Sequence, residues 1–298
     1  MHAVRLAKGH GTENDFVVIA DLDNEVELTA ELVRALCDRR AGIGADGVLR
    51  IVRTEHVSDY ATSAERAPFF MDYRNADGSL AQMCGNGVRV FVRYLHQAGM
   101  VDDAPVIATR GGLKPTWVSD DGLITVDMGI AEFLDHTATV QVGDETLPSS
   151  AVLMPNPHLV VTLHDDAALD ALDLSAQPVV DHPLPEGQNV EYIVRREDRL
   201  LGMRVHERGV GETKSCGTGI CAAVVATANA ESVQRDGLPW RVQVPGGECT
   251  VTWRPDDHVL LTGPAVIVAD IELRPEWVRQ LDSIESLSAV SALVGVSP

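Results

Sequence analysis

No stretch of this 298-residue chain approaches the ~18 consecutive apolar residues of a membrane-spanning helix, so a membrane-embedded protein is not expected. Met1 to Ala20 hold one short apolar run, Phe16 to Ala20, too brief for a signal-peptide core, and a cytoplasmic location is expected. Basic residues are scarce: 24 Lys and Arg face 44 Asp and Glu, giving a formal net charge of −20. That charge repels phosphate backbones and anionic lipid, so neither nucleic acid nor a membrane surface is an expected partner. Cysteine is sparse too. The five present (Cys37, Cys84, Cys216, Cys221 and Cys249) are odd in number and contain no C-x-x-C pair, which argues against a disulfide scaffold and against a structural zinc site; no metal is expected.

What is there suits a globular chain. Apolar residues make up 45% and charged residues 23%, enough to bury a sizeable core, and the length favours two domains. Val26 to Arg40 carries apolar residues at helical spacing and ends in Arg39 and Arg40, which predicts a helix. Short β-branched runs at Gly47–Arg53, Leu123–Met128, Ala151–Met154 and Leu159–Leu163 predict strands, so strands dominate between a few helices. The end of the chain, Glu276 to Pro298, lacks strong caps and is given no chemistry. Gly42-Ile-Gly-Ala-Asp-Gly47 matches G-x-G-x-x-G, but a helix precedes it and a strand follows, the reverse of the dinucleotide-binding order. It reads as a helix-to-strand turn, with no NAD.

An internal repeat matters more than any single element. Met83-Cys84-Gly85-Asn86-Gly87 and Ser215-Cys216-Gly217-Thr218-Gly219 are each a Cys-Gly-x-Gly that runs into an apolar helical pattern. The first pattern is Val88, Phe91, Val92, Leu95, and the second is Ile220, Ala223, Val224, Thr227. A helix N-terminus carries unsatisfied N–H groups and a partial positive charge, so a cysteine there is acidified and an anion beside it is favoured. The glycines at the second and fourth motif positions are expected to let a ligand approach the backbone. Two such thiols on one ligand are what stereoinversion by deprotonation and reprotonation requires, one as general base and the other as general acid. The carbanion between those steps needs preorganised donors on its carboxylate, which two helix termini supply. Cys37, Cys221 and Cys249 lack this context and read as packing residues.

At these residues the sequence resembles the diaminopimelate epimerase family, cofactor-independent two-base amino-acid epimerases. The resemblance extends to about Leu273 and rests on separated motifs. They are Gly11-Thr-Glu-Asn-Asp-Phe16, Gly42 to Gly47, Tyr73-Arg-Asn-Ala-Asp-Gly-Ser79, Met83 to Arg89, Asn156-Pro-His158, Asn189-Val-Glu-Tyr192 and Glu207-Arg-Gly-Val-Gly-Glu-Thr213, running into Ser215 to Ala222. It implies an α/β (α+β) fold of two pseudo-symmetric lobes, each an antiparallel β-barrel-like sheet around a central helix, with the active site in the cleft. The lobes are expected at 1–128, completed by about 264–275, and at 129–263, with 276–298 as a C-terminal extension. The implied reaction converts LL-2,6-diaminoheptanedioate to the meso form, for lysine and peptidoglycan synthesis, without a cofactor and as a homodimer.

Matching positions make Cys84 and Cys216 the acid/base pair. Gly85, Asn86, Gly217 and Thr218 would bind the carboxylate at the reacting carbon. Asn14, Asn75, Asn156, Asn189, Glu207 and Arg208 would recognise the distal amino-acid group, Arg208 through its guanidinium fork. His158 and Glu207 would adjust the cysteine acidities. The chain departs from the family pattern twice. Gly47 stands where many members have Gln, and Gly11-Thr12-Glu13-Asn14 varies the usual Gly-x-Gly-Asn.

Three other readings compete. A proline or hydroxyproline racemase-like enzyme would leave Asn156, Asn189 and Arg208 without partners, at a cost. A thiol redox protein would join Cys84 to Cys216, though without the C-x-x-C signature. A non-catalytic amino-acid-binding module would have no use for two thiols.

Overall fold

The computed structural model describes residues 5–282. They divide into one unit of 5–11, 15–124 and 265–282 and a second of 12–14 and 125–264. The divisions fall after 124 and after 264, where the sequence reading put them after 128 and 263. Five α-helices occur among the described residues: α1 (Ala30–Cys37), α2 (Gly85–Gln97), α3 (Asp166–Asp170), α4 (Gly217–Ala230) and α5 (Pro275–Asp282). None is long and apolar enough to cross a membrane.

Helix α1 is shorter than the expected Val26–Arg40 because its ends are chemically marked. The Thr29 side chain accepts a hydrogen bond from the Leu32 amide as N-cap, and Asp38 leaves the helix in extended backbone. Val26 and Leu28 still enter the same core as Leu32, Val33 and Leu36. The glycine-rich turn that follows is structural. A Cβ at Gly42 would lie 2.0 Å from the Ala35 carbonyl oxygen, and Gly44 has φ +79°. Arg39 ties Asp15 and Asp46 together, each at 2.7 Å, and the chain passes directly into the strand Gly47–Arg53. Helix, turn and strand thus occur in the order that excluded a dinucleotide site.

In the first unit the strand Arg5–Gly11 pairs antiparallel with Val266–Ile271. Asn14–Ala20 runs parallel to Gly47–Arg53, which pairs antiparallel with Phe69–Asn75. That strand is parallel to Val106–Thr109, which closes a hairpin with Gly112–Val118. Helix α2 packs on this sheet, with Val88, Phe91, Val92 and Leu95 fully buried, as the apolar spacing predicts. Residues 276–282, part of the end that lacks strong caps, form most of α5. Val278 is buried in the α1 core and the Trp277 indole donates to the Ala41 carbonyl at 3.0 Å. Residues 283–298 of the expected extension lie outside the described residues.

The second unit has the same ingredients. Pro157–Thr162 pairs antiparallel with Glu145–Leu153 and parallel with Asn189–Glu197. Asn189–Glu197 forms a hairpin with Leu200–Glu207, which runs parallel to Pro239–Val244. Gly247–Trp253 and His258–Gly263 continue antiparallel. Helix α4 is buried almost all round, as a helix apolar on every side must be, and it packs against most of these strands. The α+β class is as expected. The sheets, however, are mixed rather than purely antiparallel and are not closed. Parallel neighbours arise where strands adjacent in the sheet are separated in sequence by a helix or a long connection.

The glycine turn yields a stability prediction. Gly42→Ala forces its methyl against the Ala35 carbonyl oxygen and should destabilise the fold by about 1–3 kcal/mol. The urea unfolding midpoint should fall accordingly; an unchanged midpoint would mean that the turn has room the geometry denies.

Candidate active site

Both motif cysteines are the N-cap residues of their helices, in extended backbone just before the first turn. Beyond that their surroundings differ. Cys84 is half-buried, and its sulfur accepts a hydrogen bond from the Gly87 amide at 3.4 Å. An N–H aimed at sulfur at the positive end of a thirteen-residue helix favours the thiolate. Gly85 and Asn86 form the buried first turn, and Asn86 has no exposed surface.

Cys216 is buried, with its sulfur 3.4 Å from the Thr218 hydroxyl. Burial pushes this thiol well above the ordinary cysteine range, and the carboxylates of Glu207 and Glu191 push it the same way. The Thr218 hydroxyl and the Gly219 amide oppose them. Glu207 itself is raised, first by burial and then by Glu191, against hydrogen bonds from Thr213 and Cys216 and the charge of His158. The Thr213 hydroxyl donates to Glu207 Oε1 at 2.5 Å. Gly217 and Thr218 are buried in the first turn of α4.

The sheet explains how these groups meet. Residues alternate between faces, so Asn189 and Glu191 point one way while Val190, Tyr192 and Val194 enter the apolar cluster on the other side. Register places His158 opposite Asn189, and Val205 opposite Glu191, which puts Glu207 on the same face. That face carries α4. His158 is fully buried; its Nδ1 lies 2.7 Å from Glu191 Oε1 and its Nε2 lies 3.0 Å from Asn156 Oδ1. His158, Glu207 and Asn156 therefore belong to the Cys216 cluster.

The other expected binding residues are placed as follows. Asn189 is buried, and its Oδ1 accepts from the Arg208 amide at 2.9 Å, so it shapes the turn that carries Arg208. Arg208 is exposed, its Nη1 donates to the Glu186 carbonyl at 2.5 Å and its stem crosses Gly187. Asn75 ends a strand opposite Gly47 and donates to the Ser79 hydroxyl at 3.0 Å. A Cβ at Gly47 would lie 2.5 Å from the Arg74 carbonyl oxygen, so no glutamine fits on this backbone. Asn14 is buried directly after Thr12 and Glu13, which hold φ +49° and +60°. These left-handed residues fill the two-residue hairpin turn that the usual glycine would occupy without strain, and the Thr12 hydroxyl bonds Ser215 at 2.8 Å.

Two features were missed or misread in the sequence. Glu191 lies inside the Asn189-Val-Glu-Tyr192 motif but had no role; the i, i+2 spacing from Asn189 was the available signal. The fourth-position glycines are constrained by the protein's own packing. A Cβ at Gly219 would lie 2.4 Å from Glu191 Oε1, and one at Gly87 would lie 3.2 Å from Leu49 Cδ2 and 3.3 Å from Cys84 Cβ. Both are small because the protein's own side chains pack there. Cys37 matches its reading as a packing residue: burial pushes its thiol up to about 12.

The family model described as diaminopimelate epimerase matches residues 6–134 and 150–268. The chain is 48% identical over 284 residues to the diaminopimelate epimerase of Streptomyces coelicolor, covering 93% of this chain and 97% of that protein. It is also 48% identical over 282 residues to the diaminopimelate epimerase of Thermobifida fusca, covering 93% and 100%. Among solved structures, a phenazine biosynthesis protein of the PhzF family from Bacillus anthracis superposes with TM-score 0.69 at 16% identity, covering 92% of this chain and all of that one. A hydroxyproline epimerase from Agrobacterium vitis gives TM-score 0.66 at 14% identity, covering 90% and 91%. These two share the fold.

The raised Glu207 carboxyl sets a pH dependence. It holds its proton to higher pH in the folded chain than in the unfolded one, so stability falls as pH rises from the ordinary carboxyl range through the raised value. Glu207→Gln cannot titrate and should lack that fall. Urea midpoints across this range test it, and parallel curves for the two proteins would contradict it.

Proposed function

The chain belongs to the diaminopimelate epimerase family, and from that premise we propose that it converts LL-2,6-diaminoheptanedioate to the meso isomer by moving one α-proton between two thiols. Homologues of that name at 48% identity over nearly the whole chain support the substrate, in lysine and peptidoglycan precursor synthesis. The observation that supports the mechanism is the pair of N-cap cysteines, each at the head of a buried helix.

The resting roles follow from the two environments. Cys84, with an amide donating to its sulfur, is the general base, and Cys216, buried against two carboxylates, is the general acid. In the reverse direction the roles exchange. The first-turn amides of α2 and α4 hold the carboxylate at the reacting carbon, and negative charge spreads into it as the α-proton leaves. Gly85, Asn86, Gly217 and Thr218 belong to those turns. Asn14, Asn75, Asn156, Asn189, Glu207 and Arg208 recognise the distal amino-acid group, whose second carboxylate suits the Arg208 fork. His158 and Glu207 tune Cys216. Electrons stay within the substrate and its carboxylate, so the scheme uses no cofactor. A homodimer in the cytoplasm completes the proposal, on the warrant of family membership.

Incubating the reduced protein with LL-diaminopimelate in D₂O tests this reading. NMR should show loss of the α-proton signal with formation of the meso isomer, slowed at least ~100-fold in both Cys84→Ser and Cys216→Ser. Absence of exchange in the wild type, or full activity in either variant, would overturn it. Exchange on proline instead would point to the racemase alternative.

A further inference from the structure

Glu191 is fully buried, and nothing in the proposed reaction uses it directly. Its Oε1 lies 2.7 Å from His158 Nδ1, while its Oε2 is buried without a hydrogen-bond partner among the described residues. A carboxylate removed from water with only one oxygen engaged is costly, and one that persists calls for an explanation. Apolar residues of similar size would pack such a site at no such cost.

Its surroundings supply the explanation. The carboxylate lies against the first turn of α4, so close that position 219 has no room for a methyl group. The positive end of that helix offsets part of the cost of burying the charge. Cys216 caps the same turn. Other groups that face this cluster are His158 from the strand Pro157–Thr162, Glu207 from Leu200–Glu207 and the Thr218 hydroxyl from α4 itself. The strands Pro239–Val244, Gly247–Trp253 and His258–Gly263 turn Val242, Val251 and Leu261 inward, with Cys249 as their titratable group. Tyr192 points to the opposite face, yet its hydroxyl is pushed up to about 12 by burial and by the Glu191 charge.

We propose that Glu191 is a positioning residue for Cys216: its carboxylate fixes the His158 ring and supplies the buried charge against which the thiol gains and loses its proton. The proposal rests on the reading of Cys216 as an acid/base group. It also gives Gly219 a reason, since any larger residue would drive the carboxylate off His158. The charge of Glu191 and that of Glu207 both favour the protonated thiol, which suits the general-acid role.

The test reads the thiol directly and needs no substrate. Iodoacetamide alkylation of Cys216 in the full chain, followed by peptide mass spectrometry across pH, gives a midpoint and a limiting rate. Glu191→Gln keeps an oxygen for His158 but removes the charge, and the midpoint should fall by about one pH unit with the limiting rate unchanged. Gly219→Ala, which displaces the carboxylate without deleting it, should shift the midpoint in the same direction. An unchanged midpoint in Glu191→Gln, or a change confined to the limiting rate, would show a structural role only and overturn the proposal. Failure of the wild type to epimerise diaminopimelate would overturn the functional reading while leaving this thiol measurement standing.

Discussion

Each motif cysteine owes its setting to the amides at the start of its own helix. Four N–H groups at each helix N-terminus need partners, and a residue in extended backbone just before the first turn is best placed to meet them. Here that residue is cysteine in both units. The choice puts sulfur where negative charge is favoured. Sheets in both units then serve to hold those two helix ends and to bring side chains against them.

The same local motif is used for two different thiols. The Gly87 amide donates to the Cys84 sulfur, and Cys84 is half-buried. Around Cys216 water is excluded and the decisive neighbours are carboxylates, whose effect grows as the local dielectric falls. The two thiols therefore differ in their surroundings, one beside an amide and the other buried beside carboxylates. The strand Asn189–Glu197 is central to that difference. Its alternation sends Tyr192 into an apolar core and sends Asn189 and Glu191 to the helix, so one strand serves packing and chemistry at once.

Much of this was legible in the residues. The strand Gly47–Arg53 has the expected bounds, and the apolar positions Val88, Phe91, Val92 and Leu95 of α2 are buried as their spacing predicts, although Arg89 and Val90 between them are buried as well. The paired Cys-Gly-x-Gly motifs identified both helix starts. What was not legible depends on tertiary register. Parallel pairings such as Pro157–Thr162 with Asn189–Glu197 join segments far apart in sequence, and no local pattern announces them. Glu191 acquires meaning only once that pairing sets it beside His158, and Gly219 only once Glu191 lies beneath it. The span of α1 was overread because Val26 and Leu28 are buried without being helical. Helix α5 was underread because its anchor, the Trp277 bond to Ala41, is a contact with a distant turn.

We propose two distinct thiols, one arriving as base and the other as acid, that exchange protons with a single carbon. The most direct measurement follows where deuterium goes in the first fraction of a turnover from LL-diaminopimelate in D₂O. Two bases predict that deuterium enters the meso product while recovered LL substrate keeps its α-proton. Deuterium appearing equally in substrate and product from the earliest times would mean that one group serves both faces, and would contradict the account.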